Sequence, residues 1–341
     1  VRLTRRGERT VIEHGDVTLT GDHAVAKSMS FEGLATLTAA GYPMYVVGSY
    51  PQYLVDIAAN EQTNIERCFA IIDRQVRVLA ALKPDARFMV GLIYRATPAF
   101  IEGNENECVL LPDGRRLRPS PASQVFTEAC ERVTVALLER LNTQPYADHI
   151  IGFEMNGIED GSFRWWGYNR GALGPRDQIV VPVDVSEPAL RAFRIWLTNK
   201  YATDDALQQA WGRDDVTLAT AEPDTNTMTR DYGSALIDPL RGRAAIDALD
   251  FRFDTMGTLR SRLAHLVRAQ WGDHVLLQTH SSVVDFSIFG PIPSLIGNGD
   301  QYQLIAGGKY AALGQNHSYN FRRRDEHFAM YLANGSNRAH G

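Results

Sequence analysis

Three polar residues, Glu154, Asn156 and Glu159, stand at the end of an otherwise apolar run that begins His149-Ile150-Ile151-Gly152-Phe153, and Trp165-Trp166-Gly167-Tyr168 follows a few residues later. Cleaving a glycosidic bond takes two carboxyl groups, one to protonate the leaving oxygen and one to attack the anomeric carbon or activate a water. Glu159 suits the first task. It sits in a glycine-bracketed stretch beside Phe163, Trp165 and Trp166, and apolar rings around a carboxyl favour its protonated form. The alternative is a loop carboxylate that faces water. Glu154 and Asn156 share one face of a strand, because side chains alternate. If that face is interior, Glu154 is a buried carboxylate in need of a partner, and it becomes the second candidate for the acid.

The flat rings of Trp165 and Trp166 can stack on the apolar faces of a pyranose while polar neighbours take its hydroxyls, or they can simply cover the end of the fold. Tyr94-Arg95 follows another apolar run; the arginine can bind hydroxyls or steady a carboxylate, or form a structural ion pair. His280 and His317 also stand after apolar runs, and lone histidines are more often structural than catalytic. A metal site from His280, His317 and Asp285 has no short-range ligand spacing behind it, so neither a metal nor a cofactor is expected. Gly297-Asn298-Gly299-Asp300 and Gly307-Gly308-Lys309 match no phosphate loop and read as turns.

Amphipathic helices alternate with short apolar strands along the chain, the pattern of βα units around a parallel sheet. Residues 30–40 read as a helix stopped by Gly41, and Met44-Tyr45-Val46-Val47 as a strand. Cys68, Ile71, Ile72, Val76 and Leu79 make one stripe of a helix from about Asn64 to Leu82. Phe88 to Tyr94 is apolar throughout, as a strand buried on both faces should be. Helices are expected over Ser123–Leu141, 187–211 and 248–271, with a closing helix from Asp325 to Ala333. Further strands are expected at His149–Asn156, Val275–Gln278, Phe286–Phe289 and Tyr310–Leu313. The polar segment 103–119, with its Pro112-Asp113-Gly114 turn, and the long segment 157–186 read as excursions over the rim. The expected organisation is an N-terminal extension over 1–29 and a single (β/α)₈ TIM barrel over 30–341, irregular or incomplete at its ends.

The stretch Phe193-Arg-Ile-Trp196-Leu-Thr-Asn-Lys-Tyr201-Ala-Thr-Asp-Asp-Ala206-Leu-Gln-Gln-Ala-Trp211-Gly212 resembles a segment of family 42 glycoside hydrolases, which are β-galactosidase-like barrel enzymes. Asp148 to Glu159 resembles that family's fourth strand, where an Asn leads to the acid/base Glu; here Asn156 and Glu159 are separated by Gly157 and Ile158. Lys83 to Arg87, Thr97-Pro98 and Phe328 to Gly335 resemble further patches. The resemblance implies a glycoside hydrolase acting on β-linked, galactose-like sugars, with Glu159 as acid/base. It also implies a nucleophilic Glu at the end of strand seven. The strand expected there, Tyr310–Leu313, leads to Gln315, so a second reading is a carbohydrate-binding barrel without its nucleophile. Asp285, at the start of its strand, is on the wrong end to replace it.

Bulk properties exclude other classes. The 341 residues carry a net charge of −5, with no basic surplus to neutralise phosphates, so nucleic acid is not an expected partner. Hydrophobic residues make up 44% and charged residues 22%, as in an ordinary globular chain, and no apolar run reaches membrane-span length. The three cysteines, Cys68, Cys108 and Cys130, have no CxxC spacing and form no disulfide framework. With no leader visible behind Val1-Arg2-Leu3, the expectation is a cytoplasmic protein, with a glycoside or oligosaccharide as partner and a homo-oligomer left open.

Overall fold

The computed structural model describes residues 2–6, 9–14, 17–22, 43–48, 55, 58–111, 114–155, 157–158, 183–223, 242–280 and 312–314. The expected helices at 30–40 and 325–333 and the expected strand at 286–289 lie outside the described residues, as do Asp285 and the greater part of 157–186.

The chain begins with an antiparallel meander of β1 (Arg2–Arg6), β2 (Arg9–His14) and β3 (Val17–Asp22), with Leu3 opposite Ile12 and Ile12 opposite Leu19. Part of the segment taken as an N-terminal extension is therefore a small sheet, rich in β-branched residues such as Val11, Ile12 and Thr20.

The main sheet is parallel. Its strands are β4 (Met44–Val47), β5 (Arg87–Leu92), β8 (Ile150–Met155), β9 (Leu276–His280) and β10 (Ala312–Gly314), and they lie side by side in that order. The intervening hairpin consists of β6 (Cys108–Leu110) and β7 (Arg116–Pro119). Each new strand of the main sheet joins the edge left by the one before, with no reversal. A doubly wound sheet reverses its order partway; a barrel sheet grows in one sense.

Helices cover one face of this sheet. They are α1 (Ala58–Leu82), α2 (Pro98–Gly103), α3 (Gln124–Asn142), α4 (Glu187–Tyr201), α5 (Asp204–Trp211) and α6 (Arg243–Trp271). The helix-facing side chains Tyr45, Val47, Phe88, Val90, Phe153 and Leu277 are buried, and Phe153 meets the Trp271 ring edge-on at 5.1 Å. On the opposite, concave face Met44, Val46 and Leu276 remain 43–47% exposed. In α1 the stripe Ile65, Cys68, Phe69, Ile72, Val76 and Leu79 is buried as its spacing requires. The helix starts six residues earlier than its apolar pattern, because its first turns are polar and carry Glu61 at the positive end of the dipole.

The region 103–119 is bound to the body of the fold. Cys108 and Val109 are fully buried. The Asp184 carboxylate accepts from Leu110 N (3.2 Å), Ser186 N (3.0 Å) and Ser120 Oγ (2.6 Å).

The segment 187–211, expected as continuous helix, breaks into α4 and α5. Ala202 leaves α4 with φ 65 and ψ −30, and Thr203 caps α5 by accepting from Ala206 N at 3.2 Å. Gly212 ends α5 in the left-handed conformation (φ 65, ψ 35), which a side chain would disfavour. The residues that carried the family resemblance converge on one buried carboxylate of α6. Asp247 accepts from Tyr201 Oη (2.6 Å), Trp211 Nε1 (2.8 Å) and Lys200 Nζ (3.0 Å), and pairs with Arg243 at 3.0 Å. Phe193, Trp196, Trp211 and Phe251 form the aromatic cluster beside it.

One expectation is corrected by strand pairing. The sequence puts a strand at 286–289 between Val275–Gln278 and Tyr310–Leu313. Instead, Ala312–Gly314 hydrogen-bonds directly to Gln278–His280, while the other edge of β9 is occupied by β8. A strand has two edges, so nothing intervenes. Among the described strands none lies between β9 and β10; residues 286–289 and Gln315 themselves lie outside the described residues.

Candidate functional site

All five main strands run the same way, so their C-terminal ends, at Val47, Leu92, Met155, His280 and Gly314, lie along one side of the sheet. In parallel α/β folds that side carries the ligand. Near it, the register sets Gly91, Glu154, Gln278 and Ala312 in one row across β5, β8, β9 and β10. Phe153 and Met155, to either side of Glu154, are fully buried, and Phe153 reaches the helix layer; Glu154 therefore faces the concave side. The Glu154 side chain is 7% exposed, and Gln278 Nε2 donates to its Oε1 at 3.2 Å. A barrel interior is ordinarily filled with branched apolar side chains. Here the same layer holds a carboxylate and an amide, bordered by the two smallest residues.

Hydrogen bonds outside the ladder fix the strand ends. Thr279 Oγ1 donates to Met155 O at 3.2 Å, and Tyr94 N donates to Gly157 O at 2.8 Å. Gly157 has φ 93, a conformation that other residues adopt only under strain, and Ile158 next to it is 3% exposed. The chain is thus anchored at Gly157 and buried at Ile158. Val55 pairs with Ala96 across the segment that follows β5, and its N–H donates to Arg95 O at 3.1 Å. Thr97 then caps α2, accepting from Phe100 N at 3.2 Å, with Pro98 at the first turn.

The expected site residues divide into three groups. Glu159, Asn156, Gln315, Trp165, Trp166 and His317 lie outside the described residues. Glu154 faces the concave side; Arg95 is half-buried just past the end of β5, and His280 is the last residue of β9, in register with Gly314. Tyr94 is corrected: it is fully buried, and its hydroxyl is hydrogen-bonded to that of Thr134 on α3 at 3.0 Å. Its ring belongs to the layer between sheet and helix. Sequence reasoning missed Gln278 as a site residue, because it looked like the end of an apolar strand; its pairing with Glu154 is what distinguishes it.

Cys68, Cys108 and Cys130 are all free and buried. Among the described residues there is no group of three or more His, Cys, Asp or Glu that could hold a metal ion. Nor, among them, is any helix long and apolar enough to cross a membrane. A groove of about 420 Å³ bordered by Glu131, Gly257, Arg262 and His265 lies between α3 and α6, on the helical side and away from the strand ends.

No family model matches the chain. Solved structures of similar fold include carbohydrate-active enzymes. The catalytic domain of β-amylase from Paenibacillus polymyxa superposes with a TM-score of 0.62 at 16% identity, over 83% of this chain and 71% of that one. β-Galactosidase from Bacillus circulans sp. alkalophilus gives 0.60 at 14% identity, over 89% and 40%. β-Galactosidase from the psychrophilic Marinomonas ef1 gives 0.52 at 17% identity, over 86% and 39%. The chain spans about two fifths of the β-galactosidases it matches. At these identities the likeness is one of fold. It defines an α/β protein with a parallel, barrel-like sheet of the kind found in glycoside hydrolases. It extends to a β-amylase as well as β-galactosidases, and so is not restricted to one family.

Proposed function

We propose that this chain binds and hydrolyses a β-linked, galactose-like glycoside at the C-terminal rim of a closed (β/α)₈ barrel formed by residues 30–341. The observation that carries the reading is the order of the parallel strands, which grows in one sense with helices on one face and sets a buried carboxylate and its half-buried amide partner just below the rim. Glu159 is the acid/base, two residues beyond the Gly157 anchor. Asn156, Arg95, His280 and His317 supply hydrogen bonds to hydroxyls, and Trp165 and Trp166 supply a stacking surface. The rival reading, a sugar-binding barrel that has lost its nucleophile, drew on Gln315 at the end of strand seven. That reading stands as the alternative, and turnover created or raised by Gln315→Glu would favour it.

The test is turnover of 4-nitrophenyl glycosides by the wild type and by Glu159→Gln. Turnover of the β-galactoside that falls about 10²–10⁴-fold in the variant supports the reading. Unchanged turnover in Glu159→Gln removes Glu159 from the acid role. A wild type that neither cleaves nor binds any glycoside overturns the proposal.

A further inference from the structure

We infer that Gln278 is a sugar-contacting residue whose side-chain amide is aimed by Glu154, so that its carbonyl oxygen accepts a hydrogen bond from one particular hydroxyl of the bound glycoside. The inference rests on the proposed glycoside reading and assigns that site a specificity-determining residue.

The argument begins with the donor and acceptor inventory. An ionised carboxylate only accepts hydrogen bonds, whereas a primary amide has one accepting and one donating end. With Nε2 of Gln278 at 3.2 Å from Oε1 of Glu154, the amide has one sensible orientation: nitrogen toward the carboxylate, oxygen away from it. Gln278 is half-buried on the concave face, and its in-register backbone neighbour on the far side is Ala312, one of the smallest residues. Gly91, on the other side of Glu154, carries no side chain. Leu276, two residues earlier on the same face of β9, is 44% exposed. A carbonyl oxygen on a half-buried amide, near an exposed apolar side chain, matches the two chemistries of a sugar ring, a hydroxyl edge and a C–H face. A fixed acceptor discriminates well, because a ligand without the matching hydroxyl leaves it unpaired. Glu154 is then a positioning residue: it sets which end of the amide meets the ligand.

The experiment is calorimetric titration with D-galactose, D-glucose, lactose and maltose, followed by the monodeoxy analogues of whichever binds best. In the wild type one monodeoxy analogue is expected to lose about tenfold in affinity relative to its parent. In Gln278→Ala that analogue and the parent should bind equally. Glu154→Gln, which frees the amide to turn over, should reduce discrimination at the same hydroxyl and at no other, an outcome that general destabilisation does not produce. Gln278→Asn, which keeps an amide but withdraws it, gives a second readout if the alanine variant unfolds. If a sugar binds but no single hydroxyl matters in the wild type, the inference is overturned and the glycoside reading stands. It is likewise overturned if the discrimination persists unchanged in both Gln278 variants. If none of the sugars binds, both readings fall.

Discussion

Trp211 and Tyr201 donate to the same atom: the indole N–H and the phenol hydroxyl lie 2.8 and 2.6 Å from Oδ2 of Asp247. The carboxylate has no exposure of its own, and Lys200 and Arg243, each about one third exposed or less, neutralise it from the other oxygen. One residue of α6 therefore holds the ends of both α4 and α5. The tryptophan that closes the family-like segment anchors a helix.

Asp247→Leu should cost about 3 kcal/mol, since it strands two buried donors at once. Trp211→Phe keeps the aromatic packing and removes one hydrogen bond, so it should cost about 1 kcal/mol. Urea denaturation of the three proteins measures both values. Equal stability of wild type and Asp247→Leu would show that the carboxylate does not hold these helices.

Ala202 adopts φ 65, where a Cβ crowds the backbone. Ala202→Gly removes that strain, partly offset by the greater freedom of glycine in the unfolded chain. The expected result is a gain of about 0.5–1 kcal/mol and a higher thermal midpoint. A loss of stability would mean that α4 does not end in this conformation.

Burial pushes the Cys68 thiol up to about 12 and the Cys108 thiol to about 11, and raises Cys130 well above its ordinary value. The thiolate is the reactive form, so native protein at pH 8 should leave all three thiols unmodified by a disulfide reagent, and denatured protein should titrate all three. The linkage has a definite sign. Above about pH 8.5 an unfolded chain releases thiol protons that the folded chain keeps, so stability falls as pH rises from there toward the folded values. Rapid labelling of native protein at pH 8 would contradict this burial.

How much of this was visible in the sequence depended on whether an element carries its own pattern. The stripe from Cys68 to Leu79 and the apolar strand Phe88–Leu92 announce themselves, because burial on one helical face or on both strand faces leaves a local mark. The first turns of α1 leave little, being largely polar. Strand neighbours cannot be read from composition at all. The apolar run at 286–289 looks as good a strand as 312–314, and only pairing puts β10 beside β9. Tyr94 and Arg95 illustrate the same limit within two residues. Both follow an apolar run, yet consecutive side chains on an extended chain point to opposite faces, and register decides which one meets the helices. Gln278 gained its meaning from Glu154, a residue distant in sequence, through the same register.

The bond from Tyr94 N to Gly157 O has a mechanical consequence. Tyr94 is locked to α3 through its hydroxyl, and its amide holds the backbone two residues before Glu159. The stretch leading to that glutamate cannot swing outward alone; it must first part from the chain that leaves β5, which is itself tied to Val55. Excursions at this point of the rim are therefore coupled to fraying of a neighbouring strand end, and the two belong to one cooperative unit of opening.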